Sequence, residues 1–171
     1  LSPLADAIKL MAVLNSLTID STSAMEVYNA GIDEFESRQK TYTLNVGEEM
    51  IDWSSKHLGP ADVNVVATWL KRPEVIAALN SLTLDSNGIF GTLGMYGKPD
   101  KFAGDCDAFL AALKESNILT LSLQNTGIGP LNLQKLATSL PDALPSLVLD
   151  GQPLSGTTFD YGDDPTKIID I

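Results

Sequence analysis

The sequence predicts an α/β architecture of repeated strand–turn–helix units, with the strands in one parallel sheet and the helices covering one side of it. Two observations carry this expectation. Leu79–Gly91 reads LNSLTLDSNGIFG, with Leu79, Leu82, Leu84 and Ile89 apolar at fixed offsets and Asn87-Gly88 where the chain should turn. The offsets recur at Ile51, Trp53 and Leu58, at Ile118, Leu121, Leu123 and Ile128, and at Leu144, Leu147 and Leu149. Helical periodicity then follows the strand-like stretches, opened twice by Gly-Pro, at Gly59-Pro60 and Gly129-Pro130. A single unit of this kind cannot bury its own apolar face, so the units must stack.

Taken in order, Pro3 opens a predicted helix over 3–13, with Leu4, Ile8 and Met11 near helical spacing. Leu14–Asp20 differs from Leu79–Asp85 only in having Ile19 for Leu84, and predicts the strand of a first unit. Residues 24–38 predict a helix with Met25, Tyr28, Ile32 and Phe35 on one side. Gly31 weakens that helix by roughly 1 kcal/mol against Ala. Tyr42, Leu44 and Val46 alternate as a short extra strand would. A helix over 60–71 puts Val63, Val66, Ala67 and Leu70 on one stripe, and Pro73 stops it. Phe90–Gly104 holds four glycines and reads as an inserted loop. Helix resumes near Asp105 with Phe109, Leu110 and Leu113 inward. A helix over 131–140 aligns with 61–70, Leu133 matching Val63 and Leu136 matching Val66. The tail 155–171 is polar and acidic up to Ile168–Ile171, which reads as a closing strand or the opening of another unit.

The pattern L-x-x-L-x-L, a turn, an apolar residue, glycine, then a helix closing on L-A-x-x-L resembles leucine-rich repeat proteins of the ribonuclease-inhibitor-like type. The resemblance covers most of 14–156. It implies a right-handed leucine-rich repeat solenoid, α/β, with the parallel sheet on the concave side and helices on the convex side. It implies one domain over 1–171, of about five irregular repeats, an inserted loop at 90–104 and a polar C-terminal cap or tail at 155–171. The copies diverge: Leu17, Ile51, Leu82, Leu121 and Leu147 are 34, 31, 39 and 26 residues apart. The turn asparagine is present as Asn87, whereas Lys56, Thr126 and Gln152 hold the matching places. Gly88 and Gly127 are expected at positive φ in these turns.

A net charge of -11 and a pI near 4.3 argue against nucleic acid or an anionic membrane as partner, since both reward clustered Lys and Arg. No run of 18 apolar residues is present, so no membrane insertion is expected. Cys106 is the lone cysteine and no N-x-[ST] sequon occurs, which points to an intracellular, cytoplasmic setting. The start at Leu1, without a basic region before an apolar stretch, reads as a processed or excerpted chain, part of a larger chain or complex.

Function is expected on the outward residues of the strands. One column reads Thr18, Asp52, Thr83, Ser122 and Val148, with Asp170 as its continuation; the next reads Asp20, Ser54, Asp85, Gln124 and Asp150. Asp20, Asp52, Thr83, Asp85, Ser122, Gln124 and Asp150 thus predict an acid-bearing surface for a protein partner with a basic surface. The competing reading is that an open sheet face needs polar residues for solvation alone. Met95 and Tyr96 on the inserted loop are a second contact candidate, against the alternative that the loop folds back over the edge. Trp69 aligns with Ser139 and is expected to be an exposed helix residue.

No catalytic, cofactor or metal residues are assigned. The glycines before Lys98 lack P-loop spacing, and no D-x-D-x-D-G calcium loop occurs. His57, the sole histidine, reads as a turn residue, and Asp105 and Asp107 oppose a thiolate at Cys106. The resemblance implies a non-enzymatic protein-interaction module or scaffold. Its alternatives are a regulator of a GTPase or other enzyme, and a sensor segment of a larger receptor-like protein.

Overall fold

Alternating apolar residues at 51, 53, 82, 84, 121 and 123 produce the observed core sheet. The computed structural model describes residues 14–23, 25–29, 34–93, 97–142 and 144–149, with the backbone alone at 25–29 and 34–38. The elements, in order, are β1 (Ser16–Asp20), β2 (Met25–Asn29), β3 (Glu34–Arg38), β4 (Thr41–Asn45), β5 (Met50–Asp52), α1 (Pro60–Leu70), α2 (Pro73–Ala78), β6 (Ser81–Thr83), α3 (Asp107–Lys114), β7 (Thr120–Ser122), α4 (Pro130–Ala137) and β8 (Ser146–Val148). Strands β5, β6, β7 and β8 form a parallel sheet in that order. The register aligns Ile51, Leu82, Leu121 and Leu147 across it.

The ladder does not stop where the strands end. The N–H groups of Trp53, Leu84 and Leu123 donate to the carbonyls of Thr83, Ser122 and Val148 at 2.9, 3.0 and 3.0 Å. Ser55 and Ser86 donate in the same way to Asp85 and Gln124, each at 2.8 Å. Ser55, Ser86 and Asn125 all lie at positive φ, 54°, 56° and 49°, so three units turn alike. Two places later Gly127 is left-handed as expected, at φ 71°, and His57 at the matching place is too, at φ 59°. Gly88 is not in that region, which corrects the expectation for it. Its turn is stabilised by Asn87: Nδ2 donates to the carbonyls of Trp53 and Leu84 at 2.9 and 2.8 Å, and Oδ1 accepts the Leu58 N–H at 2.9 Å.

The helices bury the inner face of the sheet. Helix α1 begins at Pro60, whose missing N–H costs nothing at that position. It buries Val63, Val66, Ala67 and Leu70 on the expected stripe, and Val65 and Trp69 besides. Trp69 is fully buried, contrary to the exposed position expected for it. Its Nε1–H reaches the Asn45 carbonyl at 3.4 Å, and the Arg72 guanidinium stacks 4.6 Å from the ring centroid. Alignment with Ser139 misled because α1 is covered on a second side by the β1–β4 end of the molecule, which α4 does not meet. Pro73 ends α1 but also starts the short α2, with proline again at a first helical position.

The amino-terminal part differs from the sequence reading in two ways. Residues 24–38 are not a helix: β2 and β3 pair antiparallel, setting Tyr28 opposite Phe35. A spacing of seven suits two helical turns and a hairpin alike, and Gly31 between the strands is a poor helix residue. Nor does Leu14–Asp20 begin the parallel sheet. β1 pairs antiparallel with β4, Leu17 opposite Leu44 and Asp20 opposite Thr41. Among the described residues the parallel sheet therefore has four strands and Leu14–Asp20 supplies none of them, so the same heptapeptide, but for Ile19, makes a strand in two different pairings. The β1–β4 pair closes the end of the core beside β5. Tyr42 meets the Trp53 ring edge-on at 5.6 Å, and the Lys40 ammonium donates to the Ser55 carbonyl at 2.8 Å.

A buried carboxylate joins the β1–β4 pair to α1. Asp62 is fully buried, and its oxygens accept the Thr22 N–H at 3.0 Å, the Thr22 hydroxyl at 2.5 Å, the Gly59 N–H at 2.8 Å and the Tyr42 hydroxyl at 3.2 Å. Burial first, then the Asp62 charge and hydrogen bond, raise the Tyr42 pKa far above its ordinary value, so the phenol stays a donor.

The described parts of the inserted segment, 90–93 and 97–104, pack against the neighbouring unit. Phe90 is buried, and its N–H donates to the Thr126 carbonyl at 3.0 Å. Asp100 accepts the N–H groups of Gly129, Leu131 and Asn132 at 3.0, 2.8 and 3.1 Å, capping α4 from outside it. Gly91 and Gly127 lie backbone to backbone, and a Cβ on Gly127 would stand 2.7 Å from Gly91. The predicted helix at 3–13, Met95, Tyr96, Asp150 and the tail at 155–171 fall outside the described residues.

Asp62→Ala should lower stability by about 2–4 kcal/mol, because four donors lose a buried acceptor. Urea unfolding followed by tryptophan fluorescence measures this, and a loss under about 1 kcal/mol would show that water replaces the carboxylate.

Candidate functional site

The sheet has one face under the helices and one face that no described element covers. Strand alternation decides which residues stand on the open face. One row across it is Met50, Ser81, Thr120 and Ser146; the next is Asp52, Thr83, Ser122 and Val148. Asp52, Thr83 and Ser122, read from the sequence as one column, are thus brought side by side. Met50, 74% exposed, was missed, as were Ser81 and Thr120; counting back two residues along each strand would have found them. The floor of the face is made of small hydroxyl residues. Ser122 is only 8% exposed, while Met50, Asp52 and Val148 stand out at its ends.

Asp85 and Gln124 follow in the turns. Asp85 is not a free acid. Its Oδ1 accepts the Ser122 hydroxyl at 2.7 Å and the Gln124 N–H at 2.8 Å, tying one unit to the next. Asp52 is exposed, and its Oδ1 accepts the Ser54 hydroxyl and N–H at 2.6 and 2.8 Å. Those bonds hold its carboxyl below the usual aspartate value, with Lys56 adding a smaller pull. Asp52 is therefore charged at neutral pH.

Asp20 does not join the column expected for it, because β1 belongs to the antiparallel pair. There it accepts the Thr41 hydroxyl at 3.1 Å. The outward side of that pair is laced by further polar bonds, Ser16 to Asn45 at 2.6 Å and Thr18 to Thr43 at 2.9 Å. A shallow cleft between β4 and β5 is lined by Thr41, Thr43, Asn45, Glu48, Asp52 and Lys56, so the β1–β4 pair borders the open face on the Asp52 side.

The remaining sequence candidates are structural. Cys106 is buried at the start of α3, and its thiol donates to the Ile89 carbonyl at 3.2 Å. Burial, followed by the charges of Asp105 and Asp107, pushes the thiol pKa up to about 12. A neutral, enclosed thiol is no nucleophile. His57 sits in the first turn. Among the described residues no three His, Cys, Asp or Glu side chains gather as metal ligands would, and no helix is long and apolar enough to cross a membrane.

No family model matches the chain, and no curated protein or solved structure is measurably similar to it.

Three measurements test these roles. Asp85→Ala should cost about 1–3 kcal/mol in urea unfolding, since a part-buried hydroxyl and an N–H lose their acceptor, and Asp52→Ala less than about 1. The Cys106 thiol should resist alkylation in the folded chain at pH 8. Between pH 9.0, its ordinary value, and about 12 the unfolded chain releases this proton while the folded chain keeps it. The stability it contributes is therefore full below that window and lost as pH rises through it. Cys106→Ala should flatten that alkaline decline, and an unchanged slope would contradict the buried neutral thiol.

Proposed function

We propose that the chain is a right-handed leucine-rich repeat solenoid and a non-enzymatic protein-interaction module, whose open sheet face receives a basic, extended segment of a partner protein. The observation that carries the reading is the uncovered row of Asp52, Thr83, Ser122 and Val148, in register across four strands. Support for the solenoid comes from the turn repeated at Ser55, Ser86 and Asn125, and from strand-to-helix order in successive units.

The chemistry of the face suits an elongated occupant. Adjacent strands lie about 4.8 Å apart, so the rows form a regular, shallow floor. Small hydroxyls line it and let a partner backbone approach, offering donors and acceptors at each step. Asp52 supplies a charge at one end, and the net charge of -11 draws basic segments from a distance. A reducing, cytoplasmic setting goes with this reading, since the lone buried thiol gives an oxidising compartment nothing to cross-link.

The test uses exposed side chains whose bonds, where present, are local, Asp52 bonding only Ser54. Lys/Arg-rich peptides and neutral peptides of equal length are titrated against the chain by fluorescence anisotropy. Binding is expected for the basic set only, weakening as salt rises. Asp52→Lys together with Gln124→Lys should weaken it at least tenfold, about 1.4 kcal/mol, while the chain stays folded with a loss of stability under about 1 kcal/mol. Equal binding by the double variant, or affinity indifferent to salt, defeats the proposal.

A further inference from the structure

The chain contains one Asn-Gly step, Asn87-Gly88, and it lies at the most heavily bonded turn of the sheet. Glycine places no side chain next to the asparagine amide, so the following backbone nitrogen meets little hindrance in approaching the side-chain carbon. Yet Asn87 is 1% exposed, and all its polar atoms are engaged. Nδ2 donates to the carbonyls of Trp53 and Leu84, with a longer contact to Asp85 at 3.2 Å, and Oδ1 accepts from Leu58. Trp53 and Leu58 belong to the preceding unit, so the amide spans two units.

We propose that Asn87 is a conformationally gated deamidation site, which turns separation of the β5 and β6 units into a permanent covalent mark. The Gly88 nitrogen attacks Cγ of Asn87 and a new N–C bond forms. The Cγ–Nδ2 bond breaks, and ammonia departs with the proton lost from the Gly88 nitrogen. The five-membered imide is then opened by water at either carbonyl, leaving an aspartate or an isoaspartate. In the closed turn Cγ cannot swing toward Gly88 without breaking the bonds to Trp53, Leu84 and Leu58. Attack therefore waits for the turn to open.

Closure is not regained afterwards. A carboxylate has no N–H to give, and it would face the carbonyl oxygens of Trp53, Leu84 and Asp85 in a buried site. An isoaspartate also lengthens the backbone of a turn whose Ile89 N–H already closes onto the Asn87 carbonyl at 2.8 Å. Opening and conversion of this turn require no partner at the open face.

The full chain is incubated at mildly alkaline pH, folded in one sample and in urea in another, and peptide mapping by mass spectrometry follows acid and isoaspartate at Asn87. Conversion should be at least roughly tenfold slower in the folded sample. Leu58→Ala, which loosens the preceding unit, should raise the folded rate toward the urea rate, and Gly88→Ala should slow conversion in urea. Chain converted in urea and then diluted should melt at a lower temperature than unconverted chain treated alike. Equal rates in the two samples overturn the gating, and an unchanged melting temperature after conversion overturns the irreversibility. Asn87→Asp, which carries the buried carboxylate without the lengthened backbone, should also melt below the unconverted chain; if it does not fold, the rate comparison decides alone.

Discussion

The constraint on which this molecule depends is that each strand must turn toward a helix beside the next unit, with Asn87 and Thr126 buried within the turn. Polar groups left there must be satisfied by the adjacent unit. The parallel ladder does this by running past the strand ends, from Ser55 to Asp85 and from Ser86 to Gln124. Asn87 does it with a side chain that offers a donor and an acceptor together. Thr126, at the matching place one unit on, manages with less: its hydroxyl donates to the Leu123 carbonyl at 2.9 Å, and its own carbonyl takes the Phe90 N–H. The position tolerates divergence because the backbone of the inserted segment carries part of the task.

Helix starts obey the same accounting. α1 and α4 both open with Gly-Pro, and both leave N–H groups to be met. In α1 the third residue, Asp62, reaches back to Gly59 and also grips the β1–β4 end. In α4 the third residue is Asn132, and the carboxylate comes from Asp100 in the inserted segment, which also accepts Asn132 Nδ2–H at 2.7 Å. One carboxylate serves each helix start, supplied from different stretches of chain. The insert is therefore part of the structural frame of α4, and Lys135 of α4 adds a second bond to it, its ammonium donating to the Ala103 carbonyl at 2.6 Å.

The four-unit sheet was legible because its signal is periodic. Ile51, Leu82, Leu121 and Leu147 recur at fixed offsets from neighbours of the same kind, and periodicity survives divergence of individual residues. The amino-terminal region was not, because its signals were ambiguous: Leu14–Asp20 is a strand in either pairing, and Met25, Tyr28 and Phe35 fit a helix or a hairpin. Of the open face, Asp52, Thr83 and Ser122 followed from register alone. What could not be read was which acids are spoken for. Asp85 looks like Asp52 in sequence, but a hydroxyl at Ser122, 37 residues away, makes it structural. Asp62 and Asp100 were overlooked for the same reason, their partners being remote in the chain.

The close approach of Gly91 and Gly127 sets where this protein can change its length. The base of the insert admits nothing larger than glycine against the neighbouring turn. A little further out the chain is clasped at its neck, the Thr92 N–H donating to the Lys98 carbonyl at 3.2 Å and the Lys98 N–H to the Thr92 hydroxyl at 2.8 Å. That clasp holds the two ends of the intervening stretch together. Sequence can be exchanged, extended or grafted there while the frame stays put, whereas a one-residue shift at Gly91 would propagate into two units at once.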